Sequence, residues 1–139
     1  MDNEKNYDLV IKNLQVVRPN TNSVESANIG VKNGAFKKIA PSIELTEAAE
    51  IYDGKNRLAF PGLVDAHMHT GIYNPLDQDA VIESRAAAMG GVTSSLIYIR
   101  TGGYYLNKGG SYQAFMPDVL AQSEGNFYVD YAYHVAPHG

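Results

Sequence analysis

The sequence predicts an α/β protein in which a short β-rich layer precedes strands that alternate with helices. Its 139 residues are 45% hydrophobic and 19% charged, which is the composition of an ordinary globular chain. Up to Phe60 the pattern is one of short strands and turns, whereas from Pro61 apolar strands and helical segments alternate. Such alternation is typical of βαβ units, whose strands form a parallel sheet. We therefore divide the chain into residues 1–60 and residues 61–139.

Alternating side chains and turn residues predict the strands of the first part. The alternation changes phase at Lys12-Asn13, which is expected at a bulge or a tight turn. Asn33-Gly34 supplies the positive φ angles of a type I′ hairpin. A turn at Gly54-Lys55 separates two further short strands. The predicted strands are 7–17, 27–32, 35–39, 51–53 and 58–60.

The second part is predicted to contain three buried strands and two helices. Asp77 or Asp79 can cap the first helix, and its alanine-rich segment ends at Gly90-Gly91. Pro117 is placed in the first turn of the second helix, where a missing N–H is tolerated. The predicted elements are strand 62–66, helix 79–89, strand 92–99, helix 115–123 and strand 127–135.

Two histidines follow the first of these buried strands. Successive side chains of a strand alternate between its faces, so His67 and His69 are expected to point the same way, with Met68 opposite. Asp65 is expected on the histidines' side. Neutral imidazole is the commonest metal-ligating side chain, and two convergent imidazoles can bind one zinc ion or two neighbouring ions.

Composition excludes several classes of partner. The net charge is −4 and no cluster of lysine and arginine forms a basic stripe, so nucleic acid is not an expected partner. The sequence contains no run of 18 or more apolar residues, so no membrane span is predicted. Its charged N-terminus is unlike a secretory signal. The absence of cysteine excludes disulfides and thiolate metal sites. A cytoplasmic location is the default expectation.

The segment PGLVDAHMHTG resembles the first barrel strand of the amidohydrolase superfamily. The chain is similar, in order, to the start of its hydantoinase/dihydropyrimidinase and dihydroorotase branch, in the segments YDLVIKNLQVV, IGVKNGAFKKIA, YDGKNRLAFPG, GGVTSSL and VDYAYHVA. The resemblance implies that residues 1–60 are part of an accessory β-sandwich and residues 61–139 the first part of a (β/α)₈ TIM barrel. Because such a barrel takes about 250 residues, we expect an N-terminal fragment of a longer enzyme.

The resemblance also implies a chemistry, in which a metal-bound hydroxide attacks an amide carbonyl, often in a cyclic substrate. His67 and His69 match the family's two first-strand ligands of one or two divalent cations, expected to be zinc. The family's bridging carboxylated lysine, two further histidines and an aspartate have no counterpart within these residues. The fragment alone is expected to be inactive, and its parent to be a homo-oligomer acting on a small molecule.

Other residues near this pair have two interpretations each. Asp65 matches a family aspartate and either orients an imidazole from the second coordination shell or has a structural role. His134 lies near the carboxyl end of the third strand, where parallel barrels place their chemistry. It either borders the substrate site or is a hydrogen-bonded structural histidine. His138 lies near the end of the chain and has no assigned role.

The segment RTGGYYLNKGGSY follows predicted strand 92–99 and is a candidate substrate loop. Arg100 or Lys108 would hold an anionic group, and Tyr104 or Tyr105 would stack on a ring. The alternative is a solvated loop. The residue after His69 is Thr70, whereas dihydroorotases carry an arginine soon after the histidine pair and hydantoinases carry Leu-Asp. This departure weakens dihydroorotase as the specific activity and leaves the substrate open.

Two other classes of function compete with the hydrolase. One is a non-catalytic scaffold or interaction protein of the same fold, as in the dihydropyrimidinase-related proteins. The other is a free-standing small α/β protein in which the HMH sequence is incidental, and it predicts a cooperatively melting monomer. A fragment instead predicts exposed apolar strand edges.

Overall fold

The computed structural model describes residues 5–100 and 110–136, and these contain seven strands and two α-helices. The chain separates into two compact units, Met1–Pro61 and Gly62–Gly139. Together they have a mixed α/β fold with two separate sheets. The elements are β1 (Tyr7–Arg18), β2 (Ser23–Lys32), β3 (Ala35–Ala40), β4 (Ala48–Ala59), β5 (Leu63–Met68), α1 (Leu76–Met89), β6 (Val92–Ile99), α2 (Tyr112–Ser123) and β7 (Asp130–Val135).

The first unit is a four-stranded sheet in the order β3-β2-β1-β4. The β1–β2 and β2–β3 pairs are antiparallel, whereas β4 runs parallel to β1. Two short turns of 3₁₀-helix, Pro19–Thr21 and Leu45–Glu47, lie between strands. Small clusters of buried side chains form the core of the unit, and they comprise Tyr7, Val10, Ile43 and Ala48, and Leu14, Val16, Ala27 and Ile29.

Asparagines mark the irregular positions of this sheet. Asn13 has a φ angle of 57°, and the β1–β2 register shifts between Ile11 and Leu14, which confirms the predicted bulge. The hairpin prediction is also confirmed, because Asn33 and Gly34 have φ angles of 52° and 73°.

One expectation for this unit is wrong, because β4 is one strand and not two. Lys55 and Asn56 have positive φ angles of 52° and 60°, and they form an irregularity within the strand. Pairing of β1 with β4 passes from Lys12–Asp53 to Leu14–Arg57 across it. The extra residues of β4 are absorbed opposite the bulge of β1, so the strands stay paired on both sides of the predicted turn.

The second unit is a three-stranded parallel sheet in the order β5-β6-β7, with α1 and α2 as the connecting helices. The buried side chains of Leu76, Ile99, Phe115 and Val119 form a cluster in its core. Three parallel strands and two helices are thus present as predicted. Neither helix of the described part of the chain is long and apolar enough to cross a membrane.

Several boundaries in the second unit differ from the prediction. Helix α1 begins at Leu76, with Pro75 at its N-cap, so Asp79 lies within the helix. Helix α2 begins at Tyr112, so Pro117 is its sixth residue and removes one internal hydrogen bond. Strand β7 begins at Asp130, three residues later than expected.

Strand β5 was expected to be buried, and in this chain it is not. It is an edge strand, and its Leu63 and Val64 are 59% and 65% exposed. Apolar sequence alone predicts burial on both faces, but burial requires neighbours. Only β6 pairs with β5 among the described residues.

Candidate metal centre

The side chains of His67 and His69 converge at the carboxyl end of β5. Their Nε2 atoms are 3.0 Å apart, and their ring centroids are 4.9 Å apart at an interplanar angle of 72°. Met68 lies between them in sequence and pairs with Ile97 of β6. The two imidazoles therefore lie on one side of the strand, as the alternation predicts.

The separation of the two nitrogens fits a shared metal ion. Two ligands of a tetrahedral zinc ion with Zn–N bonds of about 2.0–2.1 Å lie about 3.3 Å from each other, so the two rings need to move apart by only a few tenths of an ångström. A direct hydrogen bond between one protonated and one unprotonated nitrogen has the same spacing. Among residues 5–100 and 110–136 no group of three His, Cys, Asp or Glu side chains could hold a metal ion. The pair thus supplies half of a four-coordinate shell.

Tyr98 completes an aromatic cluster with the histidines. Its ring centroid is 5.3 Å from those of His67, His69 and His134, and it pairs with His134 in the β6–β7 register. The sequence prediction did not include Tyr98. Its place near the carboxyl end of β6 is the signal that could have found it, because the carboxyl ends of parallel strands lie at one edge of a sheet.

His134 lies beside the pair and has an unpaired nitrogen. Its ring centroid is 5.4 Å from that of His67. Its Nε2 atom is buried and has no hydrogen-bond partner in the described part of the chain. Most buried polar atoms are paired, so this nitrogen is an exception within the unit.

Asp65 contacts the strand itself. Its Oδ1 accepts a hydrogen bond from the main-chain nitrogen of His67 at 3.1 Å. The β5–β6 register shifts by one residue after Asp65, which pairs with Ser95, and before Met68, which pairs with Ile97. Ser95 and Ile97 lie on one face of β6, so Asp65 is aligned with the side of β5 that Met68 occupies, opposite the histidines. The register therefore corrects the expectation that Asp65 shares the histidines' side.

Asp79 anchors the turn that follows the histidines. Its buried carboxylate accepts hydrogen bonds from the main-chain nitrogen of Gly71 at 2.9 Å and from Asn74 Nδ2 at 2.8 Å. Gly71 has a φ angle of 74°, and Thr70 is only 1% exposed. The sequence predicts only a capping role for Asp79, because its hydrogen-bond partners come from the preceding turn.

Of the residues predicted to form the substrate loop's contacts, the structure describes only Arg100. Arg100 directly follows β6 and is exposed. Tyr104, Tyr105, Lys108 and His138 lie outside the described residues, so their predicted roles stay predictions.

The fold and the histidine pair define an α/β unit with a candidate metal-binding site at the carboxyl edge of a parallel sheet. No protein-family model matches the chain. It is 36% identical over 89 residues to dihydroorotase of Pediococcus pentosaceus, covering 63% of this chain and 20% of that protein. Allantoinase of Bacillus licheniformis is 34% identical over 93 residues, with 64% and 20% covered. Adenine deaminase of Desulforamulus reducens is 45% identical over 62 residues, with 45% and 10% covered.

The chain is also similar to solved structures of hydantoinases. An L-hydantoinase from Arthrobacter aurescens matches with a TM-score of 0.69 and 25% identity, over 91% of this chain and 27% of that one. A D-hydantoinase matches with a TM-score of 0.71 and 26% identity, with 91% and 26% covered. The chain is thus similar to members of the hydantoinase/dihydroorotase-like branch of the amidohydrolase superfamily.

The similarity covers a small part of each relative. The matched stretch spans 10–20% of the length of the three curated relatives and about a quarter of the two hydantoinase structures. The dihydroorotase, allantoinase and hydantoinase relatives are hydrolases that act on carbon–nitrogen bonds other than peptide bonds.

Proposed function

We propose that this chain is the metal-binding N-terminal part of a divalent-metal-dependent amidohydrolase that hydrolyses a cyclic amide. The observation that carries the proposal is the 3.0 Å separation of the His67 and His69 Nε2 atoms. It occurs in a chain related to amidohydrolases that act on cyclic amides. A bound divalent cation, zinc in this proposal, lowers the pKa of a water ligand towards about 7 and polarises the scissile carbonyl.

The residues around the histidine pair have separate roles in this proposal. His67 and His69 hold the ion through Nε2, and the anchored turn that starts at Thr70 fixes the end of their strand. His134, whose ring centroid lies 5.4 Å from that of His67, borders the substrate site. Asp65 fixes the backbone conformation at His67 through its 3.1 Å hydrogen bond.

The proposal includes a larger barrel around this unit. Strands β5, β6 and β7 would be the first three of eight, and residues 1–60 would belong to the accessory β-sandwich. The hydantoinase similarities over 91% of this chain support it. The exposed Leu63 and Val64 on edge strand β5 also support it, because a long apolar edge normally pairs with another strand. The remaining metal ligands would come from residues outside these 139.

The loop after β6 is proposed to contact the substrate. Arg100 or Lys108 would bind an anionic group, and Tyr104 or Tyr105 would stack on its ring. The whole enzyme is proposed to be a cytoplasmic homo-oligomer that acts on a small molecule. Neither nucleic acid nor a membrane is a proposed partner.

Metal binding by the longer protein, of which this chain is proposed to be the N-terminal part, tests the first part of the proposal. Equilibrium dialysis against Zn²⁺ should show bound zinc for the wild type and a loss of that zinc for the double variant His67→Ala, His69→Ala. The variant His134→Gln should retain the ion, because His134 is placed on the substrate side. Equal zinc content in the wild type and the double variant would contradict the assignment.

Activity tests the second part. An antibody against this chain should detect a polypeptide several times longer in extracts of its source. That polypeptide, loaded with zinc, should hydrolyse a member of a panel of cyclic ureides and imides. Adenine belongs in the panel because of the 45% identity to an adenine deaminase over 62 residues. A zinc-loaded protein without turnover on the panel would favour the alternative, a non-catalytic scaffold or interaction protein of the same fold.

A further inference from the structure

The ring of Tyr98 lies against both proposed metal ligands at once. We propose that Tyr98 is a positioning residue, whose ring holds His67 and His69 in their convergent orientation before a metal ion binds. This inference rests on the proposed function for its consequence, metal affinity. The orientation itself is a property of the metal-free chain.

The two imidazoles need such a support because they are exposed. His67 and His69 are both classed among the exposed residues of the chain, and an exposed side chain normally samples several rotamers. Convergence to 3.0 Å between the Nε2 atoms requires one rotamer of each ring. Their mutual contact and the rings packed beside them must therefore restrict the two side chains.

The geometry of Tyr98 suits that purpose. Its centroid is 5.3 Å from His67 at an interplanar angle of 31° and 5.3 Å from His69 at 59°. Favourable aromatic pairs have centroids about 4.5–7 Å apart in offset or tilted arrangements. A single ring thus contacts both imidazoles, and a rotation of either one out of the cluster loses a ring contact.

The strand beneath Tyr98 makes its ring a fixed surface. Strand β6 is central in the sheet and pairs with β5 and β7. The flanking residues Ile97 and Ile99 are fully buried at 0% exposure, and Ile99 belongs to the core of the unit. His134 pairs with Tyr98 and contacts its ring at 5.3 Å on the β7 side. The backbone at Tyr98 is therefore held by strand pairing and by the buried residues on either side, and its ring contacts that of His134.

A preorganised pair loses less side-chain freedom when it binds an ion, so it binds more tightly. Loss of an outer group that orients a metal ligand typically weakens metal binding about 10–100-fold. We expect Tyr98→Leu to weaken Co²⁺ binding about tenfold and Tyr98→Phe, which keeps the ring, to change it less than about twofold. Tyr131→Leu is the matched control, because Tyr131 is an aromatic residue of the same sheet that stacks on Phe127 at 4.2 Å.

The experiment has two readouts. Co²⁺ titration of the longer protein, followed by d–d absorption, gives the affinity, and NMR of the metal-free 139-residue chain gives the χ1 rotamer populations of His67 and His69. Support requires one dominant rotamer in the wild type, averaged rotamers and weaker Co²⁺ binding in Tyr98→Leu, and wild-type behaviour in Tyr98→Phe and Tyr131→Leu. Circular dichroism checks that each variant is folded, and Tyr98→Met replaces Tyr98→Leu if the latter is not.

The outcomes separate this inference from the proposed function. Unchanged histidine rotamers in folded Tyr98→Leu would overturn the inference, whatever the metal does. A loss in Tyr98→Phe as large as in Tyr98→Leu would also overturn it, because the hydroxyl and not the ring would then act. If the wild type shows fixed rotamers that Tyr98→Leu releases, yet the longer protein binds no Co²⁺, the inference stands and the metal-binding function fails.

Discussion

The carboxylate of Asp79 accepts a hydrogen bond from the main-chain nitrogen of Gly71 at 2.9 Å, which ties helix α1 to the turn directly after the histidine pair. A second bond from Asn74 Nδ2 holds the same turn. The end of β5 is thus fixed from two sides, by Tyr98 at the rings and by Asp79 at the backbone that follows them.

Asp79→Ala is expected to destabilise the second unit by about 3 kcal/mol, because it removes two hydrogen bonds to a buried charged group. Asp77→Ala is the control. Asp77 lies in the same first turn of α1 but is exposed, so its loss should cost less than about 1 kcal/mol of helix-dipole stabilisation. Urea unfolding measures both. Equal losses would show that the helix N-terminus, and not the Gly71 turn, accounts for the effect.

Gly71→Ala is expected to be more destabilising than Gly125→Ala. Both glycines have a φ angle of 74°, which costs a residue with a side chain about 1–2 kcal/mol. A Cβ atom on Gly71 would also meet Leu76 Cβ at 3.0 Å, whereas nothing lies within 4 Å of one on Gly125. The difference in unfolding free energy should be about 1–3 kcal/mol, the usual cost of overpacking. Equal values for the two variants would contradict the tight packing of the turn against α1.

Acid should weaken the first unit in part through Asp53. The Lys55 main-chain nitrogen at 2.9 Å and Asn13 Nδ2 at 3.1 Å donate to its carboxylate, and they lower its pKa below the ordinary 3.8. A depressed pKa stabilises the fold at pH values above 3.8, and that stabilisation is lost as the pH falls through the lower, folded-state pKa. Asp53→Asn should flatten the acid limb of a stability–pH curve. Glu50→Gln, on the same strand, controls for the lost charge, and an unchanged limb in Asp53→Asn would exclude Asp53 as a contributor.

Alkali should weaken the second unit through Tyr133. Burial raises the pKa of Tyr133 above 10.0, and its hydroxyl is hydrogen-bonded to that of Ser123. The raised pKa gives stability that is present below pH 10 and lost as the pH rises through the folded-state value. Tyr133→Phe should cost about 1 kcal/mol near neutral pH and flatten the alkaline limb. Thermal melts at pH 7 to 11 measure this, with Tyr128→Phe, at an exposed tyrosine, as the control.

Sequence patterns predicted the elements that depend only on neighbouring residues in the chain. The bulge at Asn13 and the hairpin at Asn33-Gly34 follow from the positive φ angles that these residues tolerate, and strand β6 runs from Val92 to Ile99, as predicted. Helix starts were missed, because Leu76 and Tyr112 are helical through packing against Ile99 and its neighbours and not through a side-chain cap.

The sequence by itself determined the strand–helix order and the presence of two histidines on one side of a strand, because both follow from the period of the polypeptide backbone. The tertiary structure alone decided that Tyr98 and His134 lie beside that pair, that Asp65 is displaced from it by a register shift, and that Asp79 holds the turn beyond it. Such contacts join residues of separate elements, and the pairing of strands and the packing of helices set them. The residue pattern of one segment therefore does not predict these contacts.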